Sequence, residues 1–319
     1  MSPLPRLLSA LFALTVLSAI PSSAQDASSP LEPQTHSGGT TVYTMKYGKP
    51  AITRYYGVTL PPVNVPNPVM IVSLHGTRYT NVPVTNEDYG WIYTCKKTGN
   101  NCIVVTPSAT YDPVWQYYLW NAEFFDGGTF SKPRPPQTAY PDDIGFLRVL
   151  ITTLTAKYKV NPKKVFVVGF SSGAFMANRV GVQLSDLVAA VSVNSGTLES
   201  QVGIIGVPPA LKPVSIWEFH GTADNDNVGV GPCTKSWLWN RTTMHKATVD
   251  DTFNYWKQQN SCKKTVTTKA LCSGFTNNDA TTCSTGTEVK FTWEPGNGHK
   301  YLTSNNDAVW LWFNAHAKP

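Results

Sequence analysis

Gly169-Phe170-Ser171-Ser172-Gly173 sets a serine between two glycines, and its flanks decide whether that serine can do chemistry. Before it, Lys164-Val165-Phe166-Val167-Val168 is the β-branched apolar run of a buried strand; after it, Ala174-Phe175-Met176-Ala177 opens a helical stretch. A G-x-S-x-G turn from strand to helix strains the serine backbone and projects its hydroxyl from the sheet's edge. The glycines let strand and helix backbones approach without a Cβ clash. A helix starting at Ser172 aims free N–H groups and the positive end of its dipole at the space beside that hydroxyl. The chemistry this suits is attack on an acyl carbonyl, with Ser171 as nucleophile and the Ser172 N–H as one oxyanion donor. The bland alternative is a Gly/Ser-rich strand exit with no chemistry.

A serine nucleophile needs a base, and the base needs an acid to hold its tautomer. In strand–turn–helix sites of this kind both follow the serine in the chain. His220, His245, His299 and His316 follow Ser171. His299 comes after Trp293-Glu294-Pro295-Gly296-Asn297-Gly298, a Gly-rich loop leaving the last expected strand, from which a side chain can reach back over the serine. His316 stands near the end of a terminal helix, and His245 lies in a polar stretch with no strand before it. The base is therefore His299. Asp224 ends the run His220-Gly221-Thr222-Ala223-Asp224 at the carboxyl end of an expected strand, the edge where sites form in parallel sheets. It is the expected acid, with Asp226 as the alternative, a turn cap. His220 is expected to brace the same turn through hydrogen bonds. Leu74-His75-Gly76-Thr77 leaves an earlier strand; Gly76 permits a tight turn, and the Thr77 N–H is the expected second oxyanion donor. His75, a rival base by type, is expected to support that loop.

The elements that must position these residues alternate along the chain. Strands are expected at 69–74, 103–106, 165–168, 188–193, 214–219 and 289–293. A helix capped by Asp142 carries Ile144, Leu147, Ile151, Leu154 and Tyr158 at helical spacing; Val249, Phe253 and Trp256 mark another, and Val309, Trp312 and Phe313 a third. Interleaved strands and helices imply an α/β fold, a mostly parallel central sheet with helices on both faces. Two segments break the alternation. Residues 111–140 hold nine aromatic residues, from Tyr111 to Tyr140, among Pro and Gly, and 262–283 are polar and punctuated by cysteine. Long irregular segments usually decorate the active-site end of such a sheet, so the first is the expected substrate wall, although its aromatics could equally pack beneath a loop.

Residues 1–24 have a signal peptide's pattern: Arg6, a largely apolar stretch from Leu7 to Ile20, and Ser22-Ser23-Ala24 before Gln25. The apolar stretch is too short for a membrane span. A loose N-terminal arm is expected over 25–40 and a single catalytic domain over 41–319. Cys95, Cys102, Cys233, Cys262, Cys272 and Cys283 are an even set, which in a secreted chain favours disulfides. Cys95 with Cys102 is one expected pair; the other four could join as Cys233 with Cys272 and Cys262 with Cys283, or as local pairs. There is no C-x-x-C pair to suggest zinc. Asn240-Arg241-Thr242 is a glycosylation sequon. The 26 basic and 20 acidic residues give a formal charge of +6 without a basic run, which argues against a nucleic-acid partner. A secreted monomer with neither a membrane nor a nucleic-acid partner is expected.

Leu74-His75-Gly76, Trp120-Asn121, Asp142-Asp143-Ile144-Gly145-Phe146, Gly169 to Gly173, His220 to Asp224 and Gly296-Asn297-Gly298-His299 occur in an order that resembles the polyhydroxybutyrate depolymerase-like esterase group of the α/β-hydrolases, close to the feruloyl esterases of carbohydrate esterase family 1. The resemblance spans nearly the whole chain after residue 24. It implies an α/β-hydrolase fold, a Ser171, Asp224, His299 triad, and disulfides near Cys262 and Cys283, which favours the non-local pairing. Ser172 and Ala174 stand where the family often has Ala and Gly, and Lys300 follows His299 where an aromatic or small residue is common. The expected activity is hydrolysis of hydroxycinnamoyl esters on plant cell-wall polysaccharide such as xylan, without metal or organic cofactor. Trp120, Asn121 and Tyr140 are expected substrate contacts. The enzyme alternatives are a polyhydroxybutyrate depolymerase or an acetylxylan esterase; from another class, a non-catalytic polysaccharide-binding protein on a hydrolase scaffold.

Overall fold

The computed structural model describes residues 34–35, 39–77, 88–99, 101–112, 116–122, 141–198, 207–224, 249–269, 276–281, 283 and 286–318. Its strands are β1 (Gln34–Thr35), β2 (Thr40–Tyr47), β3 (Ile52–Thr59), β4 (Val69–Leu74), β5 (Cys102–Pro107), β6 (Thr110–Asp112), β7 (Tyr117–Leu119), β8 (Val165–Phe170), β9 (Ala190–Asn194), β10 (Ser215–Gly221), β11 (Lys264–Lys269), β12 (Thr276–Thr281) and β13 (Val289–Glu294). Its helices are α1 (Trp91–Lys97), α2 (Asp143–Lys157), α3 (Ser172–Gln183), α4 (Val249–Gln259) and α5 (Asn306–Ala315). Successive side chains on a strand face opposite ways, and the parallel strands are apolar on both faces. Met70, Val72 and Leu74 of β4 join Val165 and Val167 of β8 in one core, packed with Phe146, Leu147 and Leu150 of α2, Met176 and Val180 of α3, and Phe253 and Trp256 of α4. Val69, Ile71, Phe166 and Val168 face the other way, into a second core with Trp91 of α1 and Val309, Trp312 and Phe313 of α5. Helices thus cover both faces, as expected.

One sheet runs in the order β1-β2-β3-β5-β4-β8-β9-β10-β13-β12-β11. Its centre, β5-β4-β8-β9-β10-β13, is parallel. Antiparallel strands extend it at both ends. Consequently β4, β8, β10 and β13 all end at the same edge, the one that gathers functional side chains in sheets of this type.

Three expectations change. The end of the N-terminal arm is not loose, because Gln34 and Thr35 pair with Val42 and Thr41, and Thr40 is a buried first residue of β2. The 262–283 segment is no decoration of the active-site end: β11 and β12 form an antiparallel pair that extends the sheet beyond β13. In the 111–140 segment, β6 and β7 form a short antiparallel pair of their own. Cys95 is bonded to Cys102, tying α1 to β5, and Cys262 to Cys283. Cys233, Cys272, the Asn240 sequon and residues 1–24 lie outside the described residues. The described residues fall within one unit, Leu31–Pro319. Among them no helix is long and apolar enough to cross a membrane.

Candidate active site

Ser171 sits at φ 53° and ψ −122°, a conformation that a non-glycine residue adopts only when its surroundings impose it. Those surroundings are visible. The Ser171 N–H donates to the Asn194 carbonyl of β9 at 3.0 Å, and the Ser171 carbonyl accepts the N–H groups of Ala174 and Phe175 that start α3. A Cβ on Gly169 would stand 2.0 Å from the Gly173 carbonyl oxygen, and one on Gly173 would stand 2.1 Å from that of Leu74. Both contacts are with backbone, so both glycines are required for β8, α3 and the end of β4 to close on each other.

His299 reaches the serine from the loop after β13. Its Nε2 lies 2.8 Å from Ser171 Oγ and its Nδ1 2.9 Å from Asp224 Oδ2. A carboxylate accepts only, so Nδ1 carries the proton and donates, leaving the Nε2 lone pair to receive the Ser171 hydroxyl proton. The Asp224 side chain is wholly buried, while that of His299 is part-exposed. The loops that carry them are laced together: Thr222 N–H donates to the Glu294 carbonyl at 3.0 Å, Ala223 N–H to the Asn297 carbonyl at 2.8 Å, and Gly296 N–H to Thr222 Oγ1 at 2.8 Å. Gly221 has no room for a Cβ, which would meet the Asn297 carbonyl oxygen at 2.3 Å. The Phe170 ring lies against the imidazole of His299, centroids 4.9 Å apart.

His220 behaves differently from expectation. β10 turns its ring into the core edge-on to Trp293, and neither nitrogen has a hydrogen-bond partner; Nε2 stands 3.5 Å from Asp224 Oδ2. It braces the turn by packing. Burial lowers its pKa to about 4 despite the pull of Asp224, so it stays neutral beside the acid. Two residues earlier on the same strand face, burial raises the Glu218 carboxyl well above the ordinary carboxylate range, with Asp250 adding to the effect.

The loop after β4 comes within reach of the elbow, because a Cβ on Gly76 would meet Ser171 Cβ at 3.2 Å. The Gly76 N–H is committed to Tyr89 Oη at 3.0 Å, leaving the Thr77 N–H as the loop's candidate donor, with the Ser172 N–H at the start of α3 as the other candidate. Thr77 is exposed and Ser172 buried.

Trp120 is not part of a substrate wall, and Asn121 is half-buried. Trp120 is fully buried, its Nε1–H donating to the His75 carbonyl at 2.9 Å. The Asn121 N–H donates to Asp143 Oδ2 at 2.7 Å, its Nδ2–H to the Pro141 carbonyl, and its carbonyl accepts from Arg179. Asp143 in turn meets Arg54 in a fully buried ion pair at 2.7 Å, and the Arg54 guanidinium lies 3.8 Å over the Phe146 ring. These residues form a polar strut inside the protein, although Arg54 Nε and Nη1 are buried there without a hydrogen-bond partner. Tyr140 lies outside the described residues. Among the described residues Phe170 lies against His299, and Tyr89 packs on Phe170 at 5.7 Å and on Tyr301 at 4.7 Å. Phe170 stands within the pentapeptide itself and Tyr301 two residues beyond His299, so both carried a positional signal; Tyr89 carried none. Among the described residues no three His, Cys, Asp or Glu side chains converge as a metal site requires.

No protein-family model matches the chain. The feruloyl esterase B of Piromyces equi is 30% identical over 161 residues, which cover 50% of this chain and 29% of that protein. This chain spans less than a third of the length of the curated relatives it matches. Among solved structures, the acetyl xylan esterase from Aspergillus awamori superimposes with a TM-score of 0.56 at 17% identity, covering 85% of this chain and 99% of that one. The poly(3-hydroxybutyrate) depolymerase LpqC from Bordetella parapertussis does so with 0.53 at 14% identity, covering 88% and 92%. The chain is thus an α/β-hydrolase by fold, similar in sequence and in structure to esterases built on that fold.

Proposed function

We propose that the protein is a secreted carboxylic ester hydrolase that releases hydroxycinnamic acids from plant cell-wall polysaccharide through an acyl-enzyme. The observation that carries the proposal is the placement of His299, with Nε2 2.8 Å from Ser171 Oγ and Nδ1 2.9 Å from Asp224. Ser171 is the nucleophile. As its oxygen bonds to the ester carbonyl carbon, its proton passes to His299 Nε2, and Asp224 stabilises the imidazolium. The Ser172 and Thr77 N–H groups receive the oxyanion, each worth roughly 3 kcal/mol in the transition state. Collapse of the tetrahedral intermediate breaks the bond to the alcohol, which takes the proton from His299. Water then repeats the sequence on the acyl-enzyme, returning Ser171 and releasing the acid.

Two features support a hydroxycinnamoyl group: the named activity of the Piromyces relative, and the part-exposed rings of Phe170 and Tyr89 beside the dyad, against which a phenolic ring can stack. Secretion is supported by the leader pattern of residues 1–24 and by the two disulfides. Turnover of methyl ferulate, acetylated xylan and hydroxybutyrate oligomers, each against the Ser171→Ala control, tests the acyl assignment. Preference for methyl ferulate is expected; turnover of either other substrate with indifference to ferulate rejects it. A polysaccharide binder without catalysis would leave Ser171 unlabelled by a fluorophosphonate, whereas the proposal requires one label per chain.

A further inference from the structure

Resting on the ester-hydrolase assignment above, we propose that His75 is a positioning residue whose neutral Nδ1–H tautomer sets the plane of the Gly76–Thr77 peptide and so presets the oxyanion hole. The tautomer follows from what faces each nitrogen. Nε2 lies 2.9 Å from the backbone N–H of Ala109, a group that can only donate, so Nε2 is an unprotonated acceptor. A neutral imidazole then carries its proton on Nδ1, which stands 2.5 Å from the Gly76 carbonyl oxygen and donates to it.

That second bond has a consequence across the peptide. The Gly76–Thr77 bond is trans, since the one cis peptide among the described residues is Lys49-Pro50. In a trans peptide the C=O and the N–H point in opposite directions in one plane. Drawing the Gly76 carbonyl toward the His75 ring therefore turns the Thr77 N–H away from that ring. The other degrees of freedom of the loop are also occupied. Tyr89 Oη holds the Gly76 N–H, Trp120 Nε1 holds the His75 carbonyl, and that carbonyl oxygen lies 2.5 Å from where a Gly173 Cβ would be, against the first turn of α3. The His75 backbone is thus pressed on the element that carries the Ser172 N–H, while its ring is anchored to the residue two beyond β5. One side chain fixes the second oxyanion donor relative to the first. A donor held before the reaction needs no reorganisation during it, which is the source of its catalytic effect.

Two substitutions separate the two bonds. His75→Asn places an amide N–H near the position of Nδ1 and can keep the tether to Gly76 while losing the acceptor for Ala109. His75→Gln places an amide oxygen near the position of Nε2 and can keep the Ala109 bond while losing the tether. Steady-state kinetics on p-nitrophenyl acetate, with melting temperatures and the Ser171→Ala control, read the difference. His75→Gln is expected to lower kcat by about tenfold or more with KM within about twofold, and His75→Asn to keep kcat within about threefold of wild type. A trifluoromethyl ketone, whose adduct carries the oxyanion, is expected to lose affinity for His75→Gln in step with kcat. Retained kcat in His75→Gln overturns the proposal, as do equal losses in both variants that track melting temperature. A folded His75→Asn protein with kcat lost overturns it even where His75→Gln does not fold. Wild-type hydrolysis that survives Ser171→Ala rejects the ester-hydrolase assignment itself, and this inference with it.

Discussion

In the proposed mechanism the proton held on His299 Nδ1 by Asp224 makes Nε2 the base, so the acid acts through a tautomer and its replacement by an amide is informative. Asp224→Asn keeps the shape but removes the obligate acceptor; kcat for p-nitrophenyl acetate is expected to fall by about 10³- to 10⁴-fold with little change in melting temperature. A loss below tenfold would assign Asp224 a structural role instead. Phe170 lies on the same imidazole and beside Tyr89. Phe170→Ala is expected to lower kcat/KM for methyl ferulate several-fold more than for p-nitrophenyl acetate, because only the former carries its ring in the acyl group; equal losses would place Phe170 on His299 alone. The convergence of Ser171, Asp224 and His299 was legible in the sequence because each follows its own apolar run in a turn that contains glycine. Trp120 was misread because an aromatic residue in an irregular segment looks the same whether it lines a cleft or is buried beneath one. Here its indole N–H goes to the His75 carbonyl.

At the scale of elements, the site depends on how closely β4, β8 and α3 approach, and the glycines measure that approach. Gly173→Ala would drive a Cβ into the Leu74 carbonyl at 2.1 Å, a backbone contact that no side-chain rotation relieves, so a cost of about 3 kcal/mol or more is expected in denaturant melts. Gly298, next to His299, has its nearest neighbour at 3.7 Å, and Gly298→Ala is expected to leave the melting midpoint nearly unchanged. Equal effects at the two positions would contradict the close packing of the elbow. The central strands were legible because they are apolar on both faces, as in β4 and β8. The outer strands were not: β2 reads Thr-Thr-Val-Tyr-Thr-Met-Lys-Tyr with only partial burial, and β12 reads Thr-Asn-Asn-Asp-Ala-Thr, with no apolar run to mark it. Edge strands owe their place to pairing with a neighbour, a non-local fact.

Across the whole molecule, β10 carries two buried titratable groups that respond to pH in opposite senses. Burial raises Glu218 and lowers His220 to about 4. The unfolded chain ionises Glu218 above about pH 4.3 while the folded chain holds its proton, so this group's contribution to stability declines as pH rises. Below about pH 6.5 the unfolded chain protonates His220 while the folded chain resists until about 4, so stability also declines as pH falls through that window. Glu218→Gln removes only the first limb. Its melting temperature relative to wild type is expected to climb from pH 5 to pH 8; a difference independent of pH would show that Glu218 is not held protonated. Asp224 stands three residues beyond the end of the same strand. The measurement that bears most directly on the whole account is the rate of p-nitrophenyl acetate hydrolysis by purified Ser171→Ala protein beside wild type. The account predicts turnover by wild type and none above the uncatalysed rate for Ser171→Ala with an unchanged melt; wild-type activity in that variant would contradict it.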